Sequence, residues 1–349
     1  MAHYGTSQMS EAWQSKTTGP ASLRQVMQRV NMRVAAGDIE HLRPVPTGFR
    51  PLDDVLGGGL RPGELMIVGG RQGVGKTIFA LQSARNAVCH DEQVTALYIC
   101  YEHDRAHLLS RLLCLESVEQ ACRVPLTLKR LDRMALEAAD GRGLVDTLRD
   151  TPGYEPVVEA VESYADRLML VKASGNHSTL TRIHEWVQGA SSRREQRLLV
   201  VVDYLQKVPV DSRELQPETE VSTHLTQGLK TLAMEMGVRV IAVAASDRRG
   251  LRSNRVRFAD LRGSSALQYE ADVGLMLNNK HDVLSRQQLI ANLTAAEKTR
   301  GWLVVSVEKN RAGRNIVDME HALQPAQFHM TPGGDFVRER LVDGKTILE

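Results

Sequence analysis

The sequence contains few cysteines and no long apolar run, and each shortage excludes a class of protein. It has four cysteines in 349 residues, and no two of them form a Cys-x-x-Cys pair. We therefore interpret them as small buried residues in a reducing compartment, not as disulfides or metal ligands. No apolar stretch approaches the roughly 20 residues of a membrane-spanning helix, and no secretory signal pattern is present. We expect a cytoplasmic protein without a membrane partner.

The sequence also lacks a net charge of one dominant sign. Lysine and arginine number 44 against 42 for aspartate and glutamate, which leaves a net charge of +2. This balance does not by itself indicate a nucleic-acid partner, so evidence for one must come from local clusters of charge. The chain has no internal repeat, and its length suits one large domain or two small ones.

A glycine-rich segment that follows a short apolar run organises the chain. Residues 65–68 are apolar, the pattern Gly-x-x-x-x-Gly-Lys-Thr comes next, and an amphipathic segment follows. This order predicts a buried strand, a phosphate-binding loop and a helix start, where backbone N–H groups and the helix dipole attract phosphate. Lys76 would reach the β- and γ-phosphates, and the Thr77 hydroxyl would ligate Mg²⁺. We therefore expect a nucleotide and Mg²⁺, with the nucleotide bound by Gly70, Arg71, Gln72, Gly73, Val74, Gly75, Lys76 and Thr77.

Beyond this loop, short apolar runs alternate with segments of helical periodicity. Residues 103–165 are mostly helical in pattern, and a later long helix is predicted to end at Gly237. The runs 315–320 and 327–330 predict a terminal hairpin. Strands that alternate with helices predict an α/β fold with a mainly parallel central sheet. The later strands are predicted over 95–100, 168–172, 198–202, 238–244, 272–277 and 302–308.

Two segments precede the α/β region. Residues 1–20 are polar and without periodicity, which predicts a disordered tail. Residues 21–36 predict an amphipathic helix with a basic outer face that ends at Gly37. The apolar stripe of this helix must pack on its own domain or on a neighbouring subunit. Its members are Leu23, Val26, Met27, Val30 and Val34.

Two carboxylates follow predicted buried strands and would lie near the nucleotide. Asp203 comes after a run of apolar residues, a position from which a carboxylate can orient Mg²⁺ and its waters. The alternative for Asp203 is an edge-strand aspartate without a catalytic role. Glu102 also ends a buried strand, and we expect it to be the general base that polarises the attacking water. A capping or first-turn carboxylate of a helix would explain Glu102 as well.

Basic residues cluster in two places. Residues 246–262 contain six arginines against two aspartates, a local charge of +4 on a loop expected at the same sheet edge as the nucleotide. Such a loop suits phosphate contacts to a nucleic-acid strand, and a solvated surface loop is the alternative. In the second cluster, 308–314, Lys309 and Arg311 could act as cations on the γ-phosphate of a neighbouring subunit or form an ordinary basic turn. The arginines of the first cluster are Arg248, Arg249, Arg252, Arg255, Arg257 and Arg262.

A pair of histidines raises the question of a metal site. His103 and His107 are four residues apart on a predicted helix, and Asp104 lies between them. This spacing could hold a metal ion. No further ligand is evident in the sequence, so we predict a solvated helix face instead.

Several short motifs occur in a definite order along the chain. They are Pro46-Thr47-Gly48-Phe49-x-x-Leu52-Asp53, Gly58-Gly59-Leu60-x-Pro62-Gly63, Asp203-Tyr204-Leu205-Gln206, Asp260-Leu261-Arg262-x-Ser264 and Lys309-x-Arg311-x-Gly313. With the phosphate-binding loop, they resemble the C-terminal ATPase domain of the DnaB-type replicative helicases, a RecA-like fold. The resemblance covers roughly residues 21–330. In that family the third motif is the Walker B strand, the fourth a DNA-facing loop, and the fifth a finger that acts on the neighbouring subunit.

The resemblance implies an ATP-hydrolysing DNA helicase or translocase of replication or repair. It implies a homo-oligomeric ring, usually of six subunits, with ATP at the subunit junctions and single-stranded DNA in the central channel. In such a ring Glu102 is the catalytic base, Lys309 and Arg311 reach the neighbour's γ-phosphate, and Gly263 and Ser265 contact DNA. The implied segments are a tail 1–20, a linker helix and connection 21–43, an ATPase domain 44–333 and a C-terminal tail 334–349.

Three departures from the family's pattern bear on how hydrolysis would be coupled to DNA movement. The family's N-terminal helical domain, which engages primase, has no counterpart in this sequence, so we do not expect a complete replicative helicase. Ala245 occupies the position of a glutamine that senses the γ-phosphate. Gly263 and Ser265 stand where the family usually has Glu and Gly.

Two rival interpretations remain. Gly57-Gly58-Gly59-Leu60 and Lys309-Asn310-Arg311 also resemble the RadA recombination ATPases, but those carry an N-terminal four-cysteine zinc module that is not found here. The second rival is a KaiC-like regulatory ATPase, whose ring binds proteins and uses hydrolysis as a switch. The arginine-rich loop and the Tyr204-Leu205-Gln206 segment favour DNA, whereas the missing sensor glutamine favours the switch.

Overall fold

A computed structural model of the protein describes residues 19–39, 42–138, 141–191, 197–210, 218–246, 253–284 and 299–342. The chain divides into two compact units, Met1–Leu42 and Arg43–Glu349. The prediction of a disordered tail falls almost entirely outside the described residues. The same is true of three arginines of the basic loop, Arg248, Arg249 and Arg252.

The N-terminal unit contains the predicted amphipathic helix, α1, over Leu23–Ala35. Ser22 caps it, because the Ser22 hydroxyl accepts a hydrogen bond from the Gln25 backbone N–H and the Gln25 side chain accepts one from the Ser22 backbone N–H. The helix is followed by Gly37 at a φ of 74°. No residue of α1 is buried, and Leu23 is 75% exposed. The predicted apolar stripe therefore lies on the surface of this unit.

The second unit is built on one sheet. Its strands are β1 Leu65–Gly70, β2 Val94–Cys100, β3 Leu168–Lys172, β4 Arg197–Asp203, β5 Arg239–Val243, β6 Val273–Asn279, β7 Trp302–Asn310, β8 Val317–Gln324, β9 His329–Met330 and β10 Asp335–Phe336. Their order is β10-β8-β7-β6-β1-β5-β4-β2-β3, with β9 also paired to β8. The six strands from β6 to β3 are parallel, and the others are antiparallel. The predicted α/β fold with a mainly parallel sheet is confirmed.

The bounds of the strands and the C-terminal part of the sheet can be compared with the sequence-based predictions. Each predicted strand before the terminal hairpin is present to within two residues of its expected bounds, and β8 ends four residues beyond the expected run 315–320. The predicted terminal hairpin forms between β8 and β9, with Leu323 opposite Met330. Part of the expected C-terminal tail 334–349 lies on the sheet, because Asp335 and Phe336 of β10 pair with β8.

Helices connect the strands. They are α2 Leu52–Val55, α3 Lys76–His90, α4 Arg105–Glu119, α5 Leu128–Glu137, α6 Leu144–Asp150, α7 Glu155–Tyr164, α8 Leu180–Ala190, α9 Glu218–Met236, α10 Ser264–Glu270 and α11 Lys280–Val283. The segment 103–165 is mostly helical, as predicted, and its helices α4 to α7 share an apolar cluster of their own. Among the helices of the described residues, none has the length and apolar character needed to cross a membrane.

The core lies on both faces of the sheet, because successive side chains of a strand point to opposite sides. Met66 and Val68 of β1 pack on the face covered by α3, together with Phe79 of that helix. Leu65 and Ile67 pack on the other face, which α8 and α9 cover. All six residues of β1 are buried, as expected for a central parallel strand with helices on both sides.

The parallel strands bring the predicted site residues to one edge. Their carboxyl ends include Gly70 of β1, Cys100 of β2 and Asp203 of β4, and Cys100 pairs with Asp203 in the register of β2 and β4. In open α/β sheets ligands bind in the crevice outside these carboxyl ends. The fold therefore places the phosphate-binding loop, Glu102 and Asp203 together.

Candidate nucleotide site and nucleic-acid interface

The backbone at both ends of the glycine pattern in the phosphate-binding loop is one that only glycine adopts without strain. Gly70 has a φ of 148°, and a Cβ there would lie 2.5 Å from the Leu277 carbonyl oxygen on the neighbouring strand. Gly75 has a φ of 109° and is followed at once by α3. The first N–H groups of α3 therefore face the loop, where backbone amides and the helix dipole can bind phosphate.

Lys76 lies inside the loop. Its Nζ donates hydrogen bonds to the backbone carbonyls of Gly70 at 2.9 Å and Arg71 at 2.7 Å. The residue is 5% exposed. Burial lowers the Lys76 pKa to about 8, and the nearby carboxylates of Asp203 and Glu102 act in the opposite direction. The ammonium thus lies within the field of both the predicted metal-binding carboxylate, Asp203, and the predicted base, Glu102.

Asp203 is fully buried at the end of β4. Its Oδ2 accepts a hydrogen bond from the Tyr98 hydroxyl at 2.7 Å. Burial raises the Asp203 pKa, against the lowering effect of the hydrogen bond from Tyr98 and of the nearby Thr77 hydroxyl. Within the described part of the chain, its Oδ1 has no hydrogen-bond partner that meets ordinary geometry. A buried, unsatisfied carboxylate oxygen close to the Thr77 hydroxyl fits the oxygen donor set that Mg²⁺ prefers.

Glu102 follows β2 and is held by two side chains from the segment after β4. Its carboxylate forms an ion pair with Lys207 Nζ at 2.8 Å. Burial acts to raise the Glu102 pKa, but the hydrogen bond and charge of Lys207 and a hydrogen bond from Tyr204 outweigh it, so the pKa is lowered overall. The carboxylate is therefore ionised at neutral pH. It does not cap α4, since the Asp104 side chain accepts the hydrogen bond at that helix N-terminus.

Tyr204 connects the lysines of the site. Its ring lies 5.9 Å from Lys76 Nζ and 5.8 Å from Lys207 Nζ. Burial is the largest influence on its hydroxyl, and with the neighbouring carboxylates it raises the Tyr204 pKa to about 12. The phenol thus remains protonated and can donate to Glu102.

Lys309 and Arg311 lie at the opposite edge of the sheet. β7 runs antiparallel to β6, and the Arg311 backbone N–H bonds to the Asp272 carbonyl, just before β6 begins. Asp272 is level with Leu65, so about five residues of β1, roughly 17 Å, separate Arg311 from Gly70 along the strand. The structure does not bring these two cations to the phosphate loop of their own chain.

Both cations bind groups at the carboxyl end of α10. Lys309 Nζ donates to the carbonyl oxygens of Gln268 and Tyr269. Arg311 donates to the Tyr269 carbonyl and to Asp272 Oδ1, the latter at 3.2 Å. Cations at the carboxyl end of a helix interact favourably with its dipole. The side chain of Arg311 nevertheless remains about half exposed.

The described part of the arginine-rich loop does not form one uniform surface. Arg255 is 4% exposed, and its guanidinium binds Ser306 of β7 and Asp318 of β8. The structure thus buries the charge of Arg255 against the sheet and does not present it on the surface where a DNA contact was predicted. Arg257 forms an ion pair with Glu308 at 3.0 Å and keeps its side chain 31% exposed.

The other predicted DNA contacts lie at the start of α10. Arg262 and Ser265 are exposed there, and Gly263 has a φ of 71° as the residue that precedes the helix. A Cβ on Gly263 would lie 2.1 Å from Ser222 Cβ, so this position packs closely against α9. A glycine is thus required by packing where the family usually has a larger residue.

Two contacts join this region to the nucleotide site. Arg71 of the phosphate loop donates to the Ser253 carbonyl, and its other nitrogen lies 3.8 Å from Asp282. The side-chain oxygen of Gln206 accepts a hydrogen bond from the Ala245 backbone N–H at 3.0 Å. The contacts with Ala245 and Ser253 place the residue just before the arginine-rich loop and a residue in its middle close to the phosphate-binding edge.

The two histidines near Glu102 bind an arginine. The His103 and His107 rings stack at 4.6 Å, and Arg111 contacts the Nε2 atom of each at 2.9 and 3.0 Å. Burial and the charge of Arg111 lower the pKa of both histidines. In the described ranges, no cluster of three or more His, Cys, Asp or Glu side chains could hold a metal ion.

Sequence reasoning missed three residues of the site: Tyr98, Lys207 and Tyr204. Tyr98 stands in an apolar strand, where its phenol had no visible partner. A buried tyrosine usually requires a hydrogen-bond acceptor, so its presence in a core strand was the available signal. Lys207 follows Asp203 by four residues, and nothing local indicated that it would face Glu102.

Comparison with known proteins is consistent with this geometry. The chain is 31% identical over 248 residues to the replicative DNA helicase DnaB of Leifsonia xyli subsp. xyli (strain CTCB07), which covers 68% of this chain and 47% of that protein. It is 27% identical over 294 residues to DnaB of Geobacillus stearothermophilus, covering 81% and 58% of the two proteins. The chain thus spans about half the length of the curated relatives it matches.

Solved structures show the same fold. A DnaB-like replicative helicase, studied for its interactions with primase, matches with a TM-score of 0.65 and 19% identity over 93% of this chain and 70% of that one. A solved ATPase domain matches with a TM-score of 0.69 and 19% identity over 90% of this chain and 99% of that one. The family model for the DnaB-like helicase C-terminal domain matches residues 44–329. The chain therefore belongs to the DnaB-like helicase C-terminal domain family.

Proposed function

We propose that this protein is an ATP-hydrolysing ring motor that acts on single-stranded DNA, a DnaB-like DNA helicase or translocase. One observation carries the proposal: Lys76, Asp203 and Glu102 meet at one sheet edge, beside a glycine loop that opens a helix. These are the parts that phosphoryl transfer needs, a phosphate cradle, a metal-orienting carboxylate and a residue that positions water. The family membership supports DNA as the partner over the RadA-like and KaiC-like alternatives.

The loop and its lysine would bind the triphosphate. The N–H groups at the start of α3 supply donors, and Lys76 would exchange its two carbonyl partners in the loop for phosphate oxygens. Thr77 and Asp203 would hold Mg²⁺, which neutralises charge on the β- and γ-phosphates when bound. Glu102, ionised and partly exposed, would orient and deprotonate the attacking water.

The cations at the opposite edge support an assembly of several copies. Lys309 and Arg311 cannot act on the phosphate loop of their own chain, since they lie at the other end of the parallel strands. A neighbouring subunit in a homo-oligomeric ring, which we propose to be hexameric, would present its own loop to them. The exposed apolar stripe of α1 is proposed to dock on such a neighbour.

The nucleic-acid contact is proposed for the arginine-rich loop without Arg255. Arg257, Arg262 and Ser265 keep exposed surface for phosphate contacts. Gly263 would contribute only backbone groups. Arg248, Arg249 and Arg252 belong to the same proposal and lie outside the described residues.

The function is tested by ATPase assays with and without single-stranded DNA, followed by unwinding of a forked duplex. Wild-type protein should hydrolyse ATP faster with DNA and should separate the fork. Lys76→Ala should abolish hydrolysis, and Glu102→Gln should bind ATP but hydrolyse it at least about 10²-fold more slowly, the usual scale for losing a general base.

Lys129→Ala, on the exposed surface of α5, is the control and should behave as wild type. Wild-type turnover in Lys76→Ala would contradict the site assignment. Hydrolysis that ignores DNA, by a protein that does not bind it, would favour a regulatory ATPase instead.

A further inference from the structure

Tyr98 makes a buried contact with the Walker B aspartate. It lies in β2, next to β4, and the register pairs Tyr98 with Val201 and Cys100 with Asp203. Tyr98 therefore sits two positions before Asp203, on the same face of the sheet, which α3 covers. Both side chains are 0% exposed, and the Tyr98 hydroxyl donates to Asp203 Oδ2 at 2.7 Å. A phenol keeps its proton at neutral pH, so it acts toward the carboxylate as a donor.

This contact distinguishes the two oxygens of Asp203. Oδ2 is held by Tyr98, whereas Oδ1 has no hydrogen-bond partner with ordinary geometry in the described residues. With one oxygen fixed, the carboxylate cannot turn about its Cβ–Cγ bond without losing a buried hydrogen bond. In this structure the oxygen left available is therefore Oδ1.

We infer that Tyr98 is a positioning residue that fixes the Asp203 carboxylate so that Oδ1 serves the Mg²⁺ proposed beside Thr77. This inference rests on the proposed function. Carboxylates that ligate a metal are usually held by hydrogen bonds of their own, which set their orientation, and loss of such a partner typically costs 10- to 100-fold in metal affinity or activity. Phenylalanine at position 98 would keep the shape of the core and remove only the hydroxyl.

Tyr164→Phe is a matched control for Tyr98→Phe. The Tyr164 hydroxyl also donates to a buried carboxylate, Glu116 Oε1, at 2.9 Å. That contact joins α7 to α4, away from the phosphate-binding edge. The two variants thus delete the same chemical group from equally buried surroundings, and only one of them touches the proposed metal site.

The experiment measures the affinity of full-length protein for a fluorescent, non-hydrolysable ATP analogue with Mg²⁺ and with EDTA. Tyr98→Phe should bind the analogue in EDTA as wild type does. The ratio of its affinity with Mg²⁺ to its affinity in EDTA should be smaller than the wild-type ratio by about 10-fold or more. Tyr164→Phe should keep the wild-type ratio. Equal decreases of the ratio in the two variants, or the wild-type ratio in Tyr98→Phe, would overturn the inference.

A second comparison uses Asp203→Asn and the double variant Tyr98→Phe/Asp203→Asn. Because Tyr98 acts only through Asp203, the double variant should respond to Mg²⁺ as Asp203→Asn alone does. A double variant that responds less to Mg²⁺ than Asp203→Asn does would overturn the inference. This comparison remains available if Tyr98→Phe by itself fails to fold. A wild-type protein that binds the analogue equally well with Mg²⁺ and with EDTA would overturn both this inference and the proposed Mg²⁺ site. A wild type that binds no nucleotide would refute the proposed function.

Discussion

At the scale of residues, the environment of Glu102 decides how it could act as a base. Its carboxylate lies 2.8 Å from Lys207 Nζ, and the Tyr204 hydroxyl is a second donor. These contacts hold the Glu102 pKa below its ordinary value in spite of the opposing effect of burial. The carboxylate stays ionised well below neutral pH, and its negative charge is partly offset by a lysine that is itself half exposed.

Replacing Lys207 by glutamine should therefore change the pH dependence of hydrolysis. Without the ammonium the Glu102 pKa rises, so the base becomes protonated at a higher pH and activity is lost earlier on acidification. The acid limb of kcat/KM against pH should move to higher pH in Lys207→Gln and remain in place in Lys129→Gln. An unmoved acid limb in Lys207→Gln would mean that Glu102 is not the group that titrates in the reaction.

At the scale of elements, the arginine-rich loop combines a structural part with a surface part. Arg255 ties the loop to β7 and β8, while the Val256 backbone N–H donates to Asn278 Oδ1 at 2.8 Å. Arg262 lies two residues before α10 and stays on the surface. Identical side chains in one short segment thus have different roles.

Arg255→Ala should destabilise the fold. The substitution leaves Asp318 without its partner and opens a gap beside Ser306. We expect the free energy of unfolding to fall by about 2–3 kcal/mol, at or below the range for a fully buried broken pair, because Asp318 is a quarter exposed. Urea unfolding measures this loss. Arg262→Ala should unfold at nearly the wild-type urea concentration, and an equal loss in both variants would contradict the division of roles.

The surface part of the loop should control the salt dependence of DNA binding. Each lost phosphate contact reduces the slope of log affinity against log salt by about 0.7 on a single strand. Replacing Arg248, Arg249, Arg252 and Arg262 by alanine should lower that slope and leave DNA-independent ATPase activity intact. Fluorescence anisotropy with labelled oligonucleotides at several salt concentrations measures it. Binding should be nearly independent of base sequence, because phosphate contacts carry no base information.

At the scale of the whole molecule, the two edges of the sheet carry different halves of the proposed active site. The phosphate loop, Asp203 and Glu102 lie at one edge, and Lys309 and Arg311 lie at the other. In the proposed ring, the second edge of one subunit would lie against the first edge of the next, so that two copies together would complete each site.

Mixing two inactive variants tests this arrangement. Arg311→Ala and Glu102→Gln should each be inactive alone, and their mixture should recover part of the activity, since some junctions would pair an intact Glu102 with an intact Arg311. Circular dichroism of Arg311→Ala checks that loss of its contact with Asp272 leaves the fold intact. No recovery from a folded mixture, or only monomer in light scattering with ATP and DNA, would contradict a shared site.

The sequence by itself determined the backbone framework of this protein. The alternation of apolar runs with helical periodicity indicated the parallel sheet, and the glycine pattern before α3 indicated the phosphate loop. Both signals are local, since a buried strand, a turn that needs glycine and an amphipathic helix each depend on neighbouring residues. The same signals placed Asp203 and Glu102 at the carboxyl ends of their strands, because parallel strands end at a common edge.

Only the tertiary structure decided which side chains meet. Tyr98 reaches Asp203 through the register of β2 and β4. Lys207 meets Glu102 because the segments that follow these two neighbouring strands lie side by side. Arg255 lies buried and Arg262 exposed, although both stand in one basic segment. Local pattern cannot specify such partners, because strand register, sheet order and the burial of each charge depend on residues far apart in the chain. The proposed function rests on those long-range contacts as well as on the motifs.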